Sequence, residues 1–313
     1  MPINYRKCAI IGCGFVGSAS AFSLMQSGLF SEIVLIDANK DKAIGEALDI
    51  SHGLPFAKPS KIYAGDYKDL EDAYIIVITA GRGQAPGETR LDLTKKNVAI
   101  FKSIIPQIVQ YNKEAILLVV ANPVDVLTYV ALKESGYPET RVFGSGTVLD
   151  TARFKYLLGE HLRVDSRSVH AVIIGEHGDS EIPVWSSANV SGIPMHKFCE
   201  MRGFFNHEAE MKKISDNVKN SAYQIIEKKG ATYYGIAMSV RRIVEAIVRD
   251  EKSILPVSSI QHHCCCEGVA LSMPAIVGKD GIEGYTPISL DEKESEELKD
   301  SALTLKKVID SLD

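Results

Sequence analysis

Among the eight histidines of the chain, His177 has the setting best suited to chemistry. It lies in Gly175-Glu176-His177-Gly178-Asp179, directly after an apolar run, with glycines close on both sides. Imidazole is the side chain whose ordinary pKa lets it give and take a proton near neutrality. Asp150 and Arg153 are three apart in a segment of helical spacing and share one helix face. Such a face can aim a carboxylate at an imidazole and a guanidinium at a substrate carboxylate. A structural histidine and a local helix ion pair are the ordinary explanations of each feature alone. Together they point to proton transfer beside a bound anion.

Gly12-Cys13-Gly14-Phe15-Val16-Gly17 follows a short apolar run and opens a segment with Ala19, Phe22 and Met25 at helical spacing. A GxGxxG alone is weak, but here it stands between strand and helix, where backbone amides can face a pyrophosphate. Asp37 lies 20 residues beyond Gly17, at the end of the next apolar run. A carboxylate there accepts hydrogen bonds from a ribose diol and repels a 2′-phosphate, which favours NAD over NADP. The Gly- and Pro-rich segment from Gly81 to Arg90 has the composition of a lid that excludes water on closing.

These residues need a scaffold. Cys8–Ile11, Ile33–Ile36, Tyr74–Ile78 and Ala115–Ala121 are apolar almost throughout, the mark of parallel strands buried on both faces. Gly12–Gly17, Asp37, the Gly81 loop and Asn122 follow those four runs, so one cleft at the strand ends collects them. From about Gly144 the pattern changes. A helix is predicted over Thr147–Glu160, a strand over Val169–Ile174, and long helices near Glu208–Lys228 and Tyr234–Arg249. Strand-like runs follow at Ile254–Ile260, Val269–Met273 and Ala275–Val277, with a turn at Lys279-Asp280-Gly281. Leu298, Ala302, Leu305, Ile309 and Leu312 make the stripe of a final amphipathic helix.

The 313 residues exceed the size at which one core stops growing, so two closely packed units are expected. A net charge of −5 argues against a nucleic-acid or anionic-membrane surface. No apolar stretch is long enough to span a bilayer, and Met1–Lys7 has none of the features of a signal peptide. Six cysteines, three of them adjacent, form no disulfide framework, which places the chain in the reducing cytoplasm.

With these motifs in place, the chain resembles the lactate/malate dehydrogenase family over nearly its whole length. The motifs are Gly12–Gly17, Ala121-Asn122-Pro123-Val124-Asp125, Leu149-Asp150-Thr151-Ala152-Arg153, Gly175–Asp179 and Ala231-Thr232-Tyr233-Tyr234-Gly235. The implied fold class is α/β: an N-terminal doubly wound parallel sheet of the Rossmann kind in residues 1–144, followed by an α+β substrate domain in 145–313. The implied reaction is reversible reduction of pyruvate to L-lactate with NADH, a step of glycolysis and fermentation. In it His177 gives or takes the proton, Asp150 orients the imidazole, Arg153 holds the substrate carboxylate and Arg90 polarises the ketone. Asn122 and Thr232 fall at the substrate, and the Asn122–Pro123 bond is implied to be cis. Gly12, Gly14, Val16, Gly17, Asp37, Lys42, Tyr67, Gly81, Arg82, Ser103, Val120, Asn122 and Thr147 fall where the family contacts NAD.

Substrate choice is placed on Gln84, because relatives that reduce oxaloacetate carry Arg there to meet a second carboxylate; Arg82, two positions away, is the nearest other cation. Malate dehydrogenase activity, action on larger 2-oxo acids and a silent NAD-binding protein are the competing readings. Family members activated by fructose 1,6-bisphosphate bind it between subunits through an Arg and a His. Here His170 matches, whereas Lys155 replaces the Arg, so activation and a merely solvated pair both stay open. A homo-oligomer, as a tetramer, is implied. His262-His263-Cys264-Cys265-Cys266-Glu267 matches no paired-Cys zinc spacing, and no metal is expected.

Overall fold

The structure is a computed structural model that describes residues 2–83, 87–205, 207–262 and 267–312. Gln84 and the His263–Cys266 stretch lie outside the described residues. The first half alternates β1 (Asn4–Ile11), α1 (Phe15–Ser27), β2 (Glu32–Ile36), α2 (Lys40–His52), β3 (Lys61–Ala64), β4 (Ala73–Ile78), α3 (Arg90–Tyr111), β5 (Ile116–Val119), α4 (Val124–Ser135) and β6 (Val142–Gly144). All six strands are parallel, in the order β3-β2-β1-β4-β5-β6. Successive side chains of β1 enter opposite cores. Ala9 and Ile11 pack with α3, α4 and the C-terminal helix, whereas Cys8 and Ile10 pack with α1, α2 and the helix at 234–248. That two-sided burial is why these strands carry unbroken apolar runs.

The second half comprises α5 (Val148–Leu162), β7 (Val169–His170), β8 (Ile173–Gly175), β9 (Glu181–Pro183), β10 (Asn189–Val190), β11 (Ile193–Pro194), α6 (Met195–Met201), α7 (His207–Lys229), α8 (Tyr234–Val248), β12 (Ser253–Ile260), β13 (Ala270–Gly278), β14 (Gly281–Tyr285) and α9 (Glu292–Asp310). Its antiparallel strands continue the parallel sheet: β12 pairs β6 at Ser258 and Gly144, and the order runs on through β13, β8 and β9. Asp291 caps α9 in a reciprocal box with Glu294. Leu298, Ala302, Leu305 and Ile309 are buried, the stripe their spacing predicts.

Several local expectations are corrected. The buried face of α1 carries Gly17, Ala21, Leu24 and Met25, while Phe22 points outward, because packing against α8 sets the helix rotation. Val169–Ile174 is not one strand. Val169–His170 joins a small separate sheet with β10 and β11, and Ile173–Gly175 joins the main one. The two runs divided at Pro274 are a single strand, β13. Pro274 lies opposite Pro256, so neither asks the other for the N–H it lacks. β3, β6 and the short strands β9, β10 and β11 offer too few residues to show a period.

Candidate active site

Parallel pairing sets Ile11, Ile36, Ile78 and Val119 at one level across β1, β2, β4 and β5. The residues just beyond them form a single edge at the point where strand order reverses, the usual ligand crevice of such sheets. Gly12 has φ +100°, and a Cβ on it would lie 2.5 Å from the backbone nitrogen of Ala80. A Cβ on Gly17 would lie 1.8 Å from the Gly12 carbonyl oxygen, so this glycine lets the helix close on the strand. A Cβ on Gly14 would meet nothing within 4 Å. Helix α1 begins there with no side-chain cap and no acidic residue in its first turn, so its leading amides face open space. This is an anion cradle at a helix N-terminus.

Asp37 is fixed beside it. Oδ2 accepts from the Cys13 backbone N–H at 2.6 Å and Oδ1 from that of Asn39 at 2.8 Å. A carboxylate has about four acceptor sites, so capacity remains for a ribose diol. Val16, Gly81, Arg82, Val120 and Asn122 belong to the same edge, with Lys42 in the exposed first turn of α2 and Tyr67 half-buried after β3. Asn97, fully buried on α3, ties the edge together. Its amide accepts from the Arg82 N–H at 2.8 Å and donates to the carbonyls of Arg82 and Asn122 at 3.2 and 2.7 Å. Two residues are not brought to the crevice surface through their hydroxyls. Thr147 is fully buried and donates to the Ile173 carbonyl at 2.5 Å; Ser103 donates to Ile100 in its own helix.

The Asn122–Pro123 bond is cis, as the resemblance implies, and α4 starts directly after it. Asp125, in the first turn of α4, is 1% exposed. Its Oδ2 accepts from the His177 backbone N–H at 2.8 Å and its Oδ1 from the Ser258 hydroxyl at 2.5 Å. Burial pushes Asp125 up to about 6, against the pull of those two donors and of the His177 charge. The nucleotide edge and the histidine loop thus meet at one carboxylate.

Asp150, in the first turn of α5, bridges the two groups the sequence paired it with. Its Oδ2 lies 2.5 Å from His177 Nδ1, and its Oδ1 accepts from Arg153 Nη1 at 2.9 Å. Burial works against the Asp150 anion, but the imidazole and the guanidinium outweigh it and hold the carboxyl below its usual range. Burial likewise disfavours the imidazolium, yet Asp150, with Asp125 and Glu181 behind it, raises His177 to about 9. The imidazole therefore holds its proton at neutral pH, with Nδ1 facing Asp150.

Arg90, the first residue of α3, is bound to Asp179, two positions beyond His177, and to the Tyr223 hydroxyl on α7. Thr232 precedes α8, and the ring of its neighbour Tyr233 stacks on Phe15, with centroids 5.3 Å apart and planes at 19°. That stack places the Thr232 segment beside the anion cradle. Lys155 and His170 line one cavity of about 500 Å³ together with Arg242. Among the described residues no group of three His, Cys, Asp or Glu is placed to hold a metal ion, and His262 pairs with Glu139 at 2.5 Å. Asn97, Asp125, Asp179 and Tyr223 are the positions that sequence reasoning missed. Asp125 was visible within its motif, and Asn97 as a polar residue on an apolar helix face.

A parallel half with an anion cradle, continued into an antiparallel half bearing a linked His–Asp–Arg, defines a dinucleotide-binding α/β oxidoreductase. The chain belongs to the lactate/malate dehydrogenase family. Residues 6–144 match the family model of its NAD-binding domain, and residues 147–312 that of its alpha/beta C-terminal domain. It is 55% identical over 309 residues to an L-lactate dehydrogenase of Acetivibrio thermocellus, with 98% of each chain covered. It is 54% identical over 307 residues to L-lactate dehydrogenase 1 of Clostridium acetobutylicum, again with 98% of each covered. Among solved structures, a lactate dehydrogenase from a Medee basin deep-sea metagenome library superimposes with TM-score 0.94 at 44% identity, covering 100% of this chain and 99% of that one. The minor L-lactate dehydrogenase of Enterococcus mundtii in a ligands-bound form gives the same TM-score at 41% identity, with 98% of each chain covered. No helix among the described residues is long and apolar enough to cross a membrane.

Proposed function

We propose that the protein is an NAD-dependent L-lactate dehydrogenase that interconverts pyruvate and L-lactate. The observation that carries this is the Asp150 carboxylate joined at once to His177 Nδ1, at 2.5 Å, and to Arg153, at 2.9 Å. The amides at the start of α1, with Gly14 clearing their approach and Gly12 and Gly17 letting strand and helix close together, would hold the pyrophosphate of NAD, and Asp37 the adenosine ribose. Val16, Lys42, Tyr67, Gly81, Arg82, Val120 and Asn122 complete the proposed contacts, whereas the hydroxyls of Ser103 and Thr147 are engaged elsewhere. When bound, NAD supplies the hydride acceptor for lactate, and NADH the hydride donor for pyruvate.

His177 delivers the proton to the developing alkoxide through Nε2, the nitrogen left free by Asp150. Asp150 fixes the tautomer and steadies the imidazolium. Arg153 spends one nitrogen on Asp150 and keeps the rest of its fork for the substrate carboxylate. Arg90 changes partner from Asp179 to the ketone oxygen as charge builds there. Asn122 and Thr232 wall the substrate, and Gln84 selects a substrate without a second carboxylate, on its residue type alone. We assign residues 1–144 to the nucleotide half and 145–313 to the substrate half, an assignment supported by the spans of the two family models. The test follows NADH absorbance with pyruvate and oxaloacetate in parallel. Faster use of pyruvate is expected, and faster use of oxaloacetate overturns the reading in favour of malate dehydrogenase. In Gln84→Arg the preference should move toward oxaloacetate.

The cavity holding Lys155, His170 and Arg242 is proposed to take fructose 1,6-bisphosphate as an activator, since three basic side chains there suit phosphates. Lowering of the pyruvate KM by the sugar bisphosphate, lost in Lys155→Ala, is the expected result; no effect on the unaltered enzyme rejects it. Exposed Phe22, Ile44, Leu48 and Met238 support assembly as a homo-oligomer, with a tetramer proposed and light scattering as its check. Cytoplasmic location is proposed, in keeping with free thiols at Cys8, Cys13 and Cys199.

A further inference from the structure

A second buried carboxyl lies behind the His177–Asp150 pair. Glu181 opens β9, where its backbone faces Gly175 of β8, two residues before His177. It is 5% exposed, and its Oε1 is buried with no hydrogen-bond partner among the described residues. The charged groups acting on it include Asp150 and Arg153 from α5, His177 from its own loop and Lys219 from α7, and α9 brings Glu294, Glu297 and Asp300 to the cleft that it lines. Glu181 also lines a cleft of about 760 Å³ between α7 and α9, together with Ser180, Lys219 and Ser301. A polar atom buried without a partner is costly as an anion and much less so as a neutral acid.

We propose that Glu181 is a positioning residue for the proton transfer: a buried carboxyl, open to solvent protons through the α7–α9 cleft, whose ionisation sets the charge felt by the His177–Asp150 pair. It rests on the reading of His177 as the proton-transferring group. Burial pushes Glu181 well above the ordinary glutamate range; Asp150 adds to the push, and His177, Lys219 and Arg153 oppose it. While neutral, Glu181 leaves Asp150 as the imidazole's principal anion, with Asp125 behind it. Once ionised, it joins Asp150 and Asp125 as a further anion that keeps the proton on His177 to higher pH. Its own proton leaves and returns by a route lined by Ser180 and Ser301 rather than by Arg90 and Arg153.

The test titrates the His177 imidazole by NMR in the full-length, substrate-free protein, unaltered and as Glu181→Gln, beside the pH profile of kcat/KM for pyruvate reduction. In Glu181→Gln, the imidazole midpoint and the basic limb of the profile should move down together by about 0.5 unit or more. Glu181→Asp should restore part of that shift, which a purely structural role would not do. A His177 titration that superimposes on the unaltered one overturns the inference. Should Glu181→Gln fail to fold, carbon-13 labelling of glutamate carboxyls in the unaltered protein decides: one protonated glutamate at neutral pH supports it, and none overturns it. A shifted midpoint without turnover of any 2-oxo acid upholds Glu181 while rejecting the proposed activity, and turnover with an unmoved midpoint does the reverse.

Discussion

Arg90 and Asp179 are joined by two side-by-side contacts, Nη1 to Oδ2 at 2.7 Å and Nη2 to Oδ1 at 3.1 Å. Both side chains are exposed, so the pair adds little stability. Its importance is positional, because it holds the Arg90 guanidinium, at the start of α3, against the loop that carries His177. In Arg90→Gln, kcat for pyruvate reduction should fall by about 10²–10³-fold, with NADH affinity unchanged. Stopped-flow turnover beside NADH fluorescence titration checks this, and a rate close to the unaltered one contradicts it.

The direction of the reaction should respond to pH through His177, whose imidazole is raised to about 9. Pyruvate reduction needs the protonated ring, so its kcat/KM should be level at neutrality and fall as pH rises through about 9. Lactate oxidation needs the neutral ring and should climb through the same interval. The stability contributed by this group is complete below its ordinary value of about 6.5 and is lost as pH rises through the folded value. Profiles in both directions in one buffer series provide the measurement; matching profiles would refute it.

Asp150→Asn keeps the shape and removes the charge that raises His177. Reduction at neutral pH should fall by about 10²-fold or more, and the basic limb of its profile should move down toward 6.5. Loss of rate without movement of the limb would mean that Asp150 acts by orientation alone.

Asp125→Leu removes the acceptor for both the His177 N–H and the Ser258 hydroxyl. Leaving those donors buried should cost about 1–3 kcal/mol, read as a shift in urea unfolding midpoint. Because Asp125 is raised to about 6, its stabilising contribution is full below about 3.9 and is lost as pH rises through about 6. Asp125→Asn should remove that part of the slope, and identical slopes would reject the assignment.

The sequence made the parallel half legible because two-sided burial writes continuous apolar runs, and because Gly12, Gly17 and Asp37 stand at strand ends. His177, Asp150 and Arg153 were legible from residue type and spacing, and the structure links them. What stayed hidden depends on contacts between distant segments. Nothing near Asn97 in the chain indicates that it clamps Arg82 to Asn122, and Glu181 looks like an ordinary polar residue after a glycine loop. The rotation of α1 escaped for the same reason: its partner α8 lies more than two hundred residues away. Proline misled at 274, where the register opposite Pro256 removes the penalty that a local rule assigns.

The single backbone hydrogen-bonded surface formed where β12 joins β6 has a mechanical meaning. The crevice glycines and the imidazole therefore hang from one continuous sheet, and on the proposed reading substrate capture falls to the short segments at its rim. Selection can then retune which acid is accepted by altering rim residues, with no need to realign the groups that exchange hydride and proton.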